Sequence, residues 1–230
     1  MMELKNKELL RQAYEMLQTK KNNQNRRWDF PNQMLYDLCS NYPSQEDAEQ
    51  VVAKIWLIGR SYAASVERIH GVERPQGDIY YDHVAPAICK IAKPLQNAIE
   101  SLNKQNCLDE NNFTLVLETH RLLEMALHSA VSMNMTSLAS KYLHFHCRNV
   151  FPIYDSYAYR GAISLVKKDS AALKAMLGRG IAANETYADF VMRFLFLQNI
   201  IVDQYGKSLS LREMDFLLQN WGWRDNGSLI

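Results

Sequence analysis

The sequence predicts an all-α fold, and three observations carry that prediction. Ala, Leu, Met, Gln, Glu and Lys, all good helix formers, are abundant. Only 9 Gly and 6 Pro punctuate 230 residues, too few for a sandwich or barrel that needs a turn roughly every 8–12 residues. Apolar residues recur at helical rather than alternating spacing along most of the chain. Hydrophobic residues make up 47% of the chain and charged residues 22%, enough apolar matter for a real core. No linker, internal repeat or low-complexity tract divides it, so residues 1–230 read as a single all-α domain with room for two helical lobes.

Each element has its own signal. Leu9, Leu10, Ala13, Tyr14 and Leu17 share one face of a first helix over residues 4–20. Pro31 sits in the first turn of a second helix carrying Met34, Leu35 and Leu38. Ser44 reads as an N-cap with acids behind it, opening a long helix that stops at Gly71. A loop with Pro75 and Gly77 precedes a helix over residues 80–103, with an early Pro86 and a kink expected at Pro94. Further helices are predicted over 112–132, 136–147, from Asp155, 171–177, 187–204 and 211–220. Trp56, Leu57 and Ile58, and the pair Phe194 and Phe196, read as core.

The start of the chain, MMELKNKELLRQ, lacks the apolar core of a signal peptide. No run reaches the ~18 apolar residues that span a bilayer. Cys39, Cys89, Cys107 and Cys147 are scattered without CxxC pairs, as free thiols of a reducing compartment. A cytoplasmic protein with no membrane partner is expected. The net charge of +1 gives no whole-chain attraction to nucleic acid; the run from Lys20 to Arg27 is the best local basic candidate.

The segment from Ser140 to Ser156, SKYLHFHCRNVFPIYDS, is the most function-like stretch. Leu138, Tyr142 and Phe145 should face the core, leaving Lys141 and His144 on a neighbouring face. Pro152 forces the residue before it into extended geometry, and Asp155 is placed to cap the next helix. The run FPIYDSYAYRGAI resembles the FPILDGNVKR type of segment in adenine DNA glycosylases, members of the helix-hairpin-helix glycosylase superfamily. The resemblance covers about 25 residues. It implies DNA, duplex or single-stranded, as partner, Lys141 as nucleophile and Asp155 as the essential acid. A lysine amine suits attack on a sugar C1′ with Schiff-base formation. A flipped base would stack on aromatic rings such as Tyr154, Tyr157, Phe145 or Trp56. The chain departs from the family in having Met133-Asn-Met-Thr-Ser-Leu138 where the glycine-rich hairpin stands, a shorter Lys-to-Asp spacing, and no four-cysteine loop.

The stretch Trp56–Arg68 carries Arg60, Tyr62, Glu67 and Arg68 among small residues. An arginine fork there would grip a phosphate or a carboxylate, or a buried Arg–Glu pair would lock two helices together. Together, Arg60, Tyr62, Arg68, His144, Tyr154 and Tyr157 are the expected substrate contacts. GRSYAxxxER with the SKYLHFH and FPIYDS elements also resembles a bacterial family of helical proteins. His144 and His146, two apart on a helix, diverge too far to share a metal. Walker A, GxGxxG, GxSxG and HExxH motifs are absent, so no metal or cofactor is expected. The leading expectation is a DNA base-excision enzyme. Its rivals are a non-catalytic helical regulator binding nucleic acid or protein, and a helical enzyme acting on a nucleoside or nucleotide.

Overall fold

Side-chain caps and left-handed stops set several of the helix boundaries in the computed structural model, which describes residues 2–21, 28–68 and 75–224. These residues form eleven α-helices and one π-helical turn, with no strand beyond an isolated bridge between Leu4 and Val166. The all-α expectation is met. None of the described helices is long and apolar enough to cross a membrane. Contacts divide the chain into two compact units, residues 1–30 with 152–230, and residues 31–151.

The first unit holds α1 (Lys7–Lys21), α8 (Ser156–Leu165), α9 (Ser170–Leu177), α10 (Glu185–Tyr205) and α11 (Leu211–Arg224). Asp155, Asp169 and Asn184 cap α8, α9 and α10 through their side chains, satisfying backbone donors that a helix start leaves open. α10 ends at Gly206, with φ 64°. α11 crosses α8 with backbone almost touching backbone. A Cβ on Gly161 would collide with the Leu218 carbonyl, and one on Gly222 with the Tyr157 carbonyl. Inside the unit, Arg193 Nε and the Tyr159 hydroxyl both donate to Asp189 Oδ2 at 2.9 Å. Arg193 also donates to the Val166 carbonyl, so this buried charge pair is tied into the backbone.

The second unit holds α3 (Ala48–Ser61), the π-turn (Ile79–Val84), α4 (Ala85–Lys90), α5 (Ala92–Leu102), α6 (Phe113–Val131) and α7 (Thr136–His146), with α2 (Asp29–Asn41) from its third residue onward. α3 and α6 both pack on α7, and every residue from Leu138 to Cys147 is buried. A helix enclosed on all sides has no solvent face for its polar residues, which must therefore find partners inside.

Several expectations are corrected. Asp47, not Ser44, caps α3, accepting from the N–H groups of Glu49 and Gln50; Ser44 Oγ accepts from Glu46 and Asp47. α3 stops at Ser61, ten residues before the expected terminator, because Ala63 turns left-handed at φ 53°. Trp56 and Leu57 are exposed while Ile58 is core; Phe194 is core and Phe196 half-buried. The kink expected at Pro94 is a break at Ile91, which leaves Pro94 in the first turn of α5, where a missing N–H costs nothing. Gly71 and the basic run from Asn22 to Arg27 lie outside the described residues.

Candidate functional site

The α6–α7 hairpin carries the candidate site. α6 ends at Ser132, which adopts φ 54° and donates its N–H to the His128 carbonyl at 2.7 Å. Residues 133–135 then turn the chain into α7, whose first residue, Thr136, donates its hydroxyl to the buried Glu124 of α6. Arg121 pairs with the same carboxylate at 2.9 Å. His120 Nε2 lies 3.0 Å from the Thr136 carbonyl, and burial lowers this imidazole to about 4. The carbonyl can only accept, so Nε2 carries the proton.

Lys141 sits one turn further along α7, only 3% exposed. Its Nζ donates to Ser137 Oγ at 2.6 Å and lies 5.9 Å from the Tyr62 ring centroid. The Tyr62 hydroxyl donates to Asn32 Oδ1 at 2.6 Å, fixing the ring beneath the amine. Ser137 lines a cleft of about 180 Å³ between the 63–68 segment and the 133–138 turn, whose polar lining includes Ser65, Arg68 and Asn134. Arg68 is exposed and donates Nη1 to the Ala63 carbonyl at 3.2 Å. Ala63 and Ser132, the two non-glycine residues with positive φ among the described residues, stand at or beside the two walls. Each such residue costs roughly 1–2 kcal/mol, and strain of this kind gathers at functional sites.

His144 is engaged on both nitrogens. Nδ1 faces the Phe151 carbonyl at 2.8 Å, and Nε2 lies 2.6 Å from the Tyr36 hydroxyl. The carbonyl fixes the proton on Nδ1, so Nε2 accepts from Tyr36. His144 thus holds the end of α7 to the following segment. Arg60 is tied to the Glu67 carboxylate and lies 5.5 Å from the Trp56 ring centroid. The expected buried Arg–Glu pair between two helices is therefore not formed: the pair is exposed and joins α3 to the segment that follows it. The Glu67 carboxylate raises the Arg60 guanidinium further above its ordinary value.

The other expected residues belong to the first unit. Asp155 caps α8 with Oδ1, accepting from Tyr157 N at 2.9 Å and Ala158 N at 2.8 Å. Its Oδ2 accepts from Gln219 Nε2 at 2.6 Å. Tyr154 is half-buried in an aromatic cluster, 5.6 Å from Tyr159 and 5.5 Å from Phe190, and its hydroxyl is raised by burial. Tyr157 stacks on Trp223 at 5.0 Å. Lys141, Tyr62 and the cleft-lining Arg68 therefore gather in one unit, and Asp155, Tyr154 and Tyr157 in the other.

The sequence reading missed Ser137, although a serine four residues before a lysine on a helix shares its face. It also missed Lys54, which is fully buried and donates to the Tyr42 and Ser44 carbonyls at 2.9 and 2.7 Å. Burial lowers its amine to about 8. Both acceptors are main-chain atoms of the α2–α3 loop, so Lys54 fastens the loop; neither lysine itself lines the cleft, which Lys141 reaches only through Ser137. No family model, curated protein or solved structure matches the chain.

Proposed function

We propose that this chain is a DNA base-excision enzyme of the helix-hairpin-helix glycosylase type, with Lys141 as its amine nucleophile. The observation that carries the reading is the position of Lys141 on the second helix of the α6–α7 hairpin, buried and bonded to Ser137 at the cleft. The strained Ala63 and Ser132 beside the cleft walls support it, as does the resemblance of residues 151–163 to the glycosylase segment.

The chemistry asks for an amine lone pair in a confined site. Nζ attacks C1′ and forms the N–C bond while the glycosidic C–N bond breaks. The base leaves with the bonding pair and takes up a proton. Opening of the sugar ring then leaves an iminium between Nζ and C1′, and the ring oxygen becomes a hydroxyl. Borohydride delivers hydride to that carbon and fixes the adduct as a secondary amine.

The test is borohydride trapping on duplex and single strands containing uracil, 8-oxoguanine or an abasic site. Wild type is expected to form a covalent adduct that peptide mapping places on Lys141, and Lys141→Ala to form none. Absence of adduct and of base release from every strand with wild type overturns the reading.

A further inference from the structure

We infer that the junction of α8 and α11 is a docking surface for single-stranded nucleic acid, built from Trp223, Tyr157, Arg160 and Arg224. The inference goes beyond the proposed excision chemistry and stands whether or not Lys141 reacts.

Trp223 is 56% exposed. It stacks on Tyr157, with ring centroids 5.0 Å apart and planes within 21°. The Arg160 guanidinium lies 5.2 Å from the Tyr157 centroid, and that of Arg224 5.8 Å from the Trp221 centroid. Both arginines are exposed, and no carboxylate among the described residues pairs with either. That distinguishes them from Arg11, Arg60, Arg121 and Arg212, each of which pairs with a nearby acid. α8 contains no acidic residue, and neither does the final turn of α11. The close crossing at Gly161 and Gly222 brings the two helices that carry the four side chains backbone to backbone.

The charge selects an anion, and the pre-stacked rings select a flat π-face to extend the stack. A single strand supplies both, since its phosphates alternate with bases free to leave one another and stack on protein rings. A duplex keeps its base faces covered. An acidic peptide would answer the arginines but not the open ring.

The experiment is a fluorescence anisotropy titration of dye-labelled oligothymidylate with the full chain over a range of salt. Trp223→Ala is expected to weaken binding about tenfold, the scale of one lost base–aromatic stack. Trp223→Phe, which keeps a ring, should retain most of the affinity. Arg160→Gln combined with Arg224→Gln should flatten the log–log salt slope by about 1.4, at ~0.7 per phosphate. Arg179→Gln, an exposed arginine on the turn after α9, should change neither. The Trp223→Phe and arginine variants keep the test decisive if Trp223→Ala melts early. Failure of wild type to bind, or binding equal in all variants, overturns the inference. So does Trp223-dependent binding to phosphatidylserine vesicles in place of the strand. Adduct formation at Lys141 with no Trp223 effect sinks this surface and spares the excision reading; a Trp223 effect without any adduct does the reverse.

Discussion

Tyr142 and Gln45 show how tightly the polar groups around α7 are accounted for. The Tyr142 hydroxyl donates to Gln45 Oε1 at 2.7 Å, while Gln45 Nε2 donates to the Pro43 carbonyl and lies 3.2 Å from His146 Nε2. All three side chains are buried, so the Tyr142 hydroxyl is what satisfies the Gln45 oxygen. Tyr142→Phe removes one oxygen atom and leaves that acceptor without a donor. An orphaned buried polar group costs about 1–3 kcal/mol, and a loss of that size is expected in urea denaturation. Gln45→Met with Tyr142→Phe, which removes both partners, should recover part of it; a neutral single variant would show that water reaches the site. Lys141 makes the same point about what a sequence conceals. Lysine normally marks solvent, and only the enclosure of α7 by α3 and α6 turns this one inward. Its partner Ser137 was legible as an i−4 neighbour; its burial was not.

At the scale of elements, apolar periodicity places most helices, α6 and α7 to within a residue at each end although neither has a side-chain cap, while a stop made by an ordinary residue stays hidden. An acid after a proline turn marks the opening of α8 at Asp155, and α10 ends at Tyr205, one residue past its expected end. α3 overran because its stop is made by an alanine. Ala64 N donates to the Gly59 carbonyl and Ala63 N to the Arg60 carbonyl, the paired bonds of a left-handed helix stop normally given to glycine. Nothing in Ser61-Tyr62-Ala63-Ala64 announces it, and the apolar periodicity continues past it. The α8–α11 crossing was equally silent, because a glycine inside a helix does not say which backbone it admits. Gly161→Ala and Gly222→Ala must each push a methyl into a carbonyl of the facing helix, where neither side can rotate away. Each is expected to destabilise by at least about 2 kcal/mol, the range of overpacked sites, despite the better helix propensity of alanine. Thermal melts followed by circular dichroism check this, and an unchanged midpoint would mean that the helices separate at no cost. If the arginine–aromatic surface rides on this crossing, the same variants weaken oligonucleotide binding.

Across the whole molecule the histidines are unevenly shared. All six lie between residues 70 and 146, within the unit of residues 31–151, and the unit of residues 1–30 and 152–230 has none. Two of them are buried where a proton is unwelcome. Burial lowers His120 from 6.5 to about 4, and burial together with the nearby Lys54 charge holds His146 well below 6.5. The unfolded chain therefore takes up protons at both positions from pH 6.5 downward, while in the folded chain His120 does not until about pH 4 and burial likewise keeps His146 neutral well below 6.5. In that interval the unfolded state binds more protons, so stability rises with pH and is lost as pH falls. For His120 alone the loss across the interval is on the order of 3 kcal/mol, and His146 adds to it with the same sign. Mild acid should therefore loosen the unit of residues 31–151 first. Hydrogen exchange followed by mass spectrometry, corrected for intrinsic rates between pH 7 and about pH 4, reads this peptide by peptide. Peptides from α6 and α7 should lose protection within the interval while those from α10 and α11 keep theirs, and His120→Gln should move the onset to lower pH. Simultaneous loss in both units would place the acid limit with groups other than these histidines.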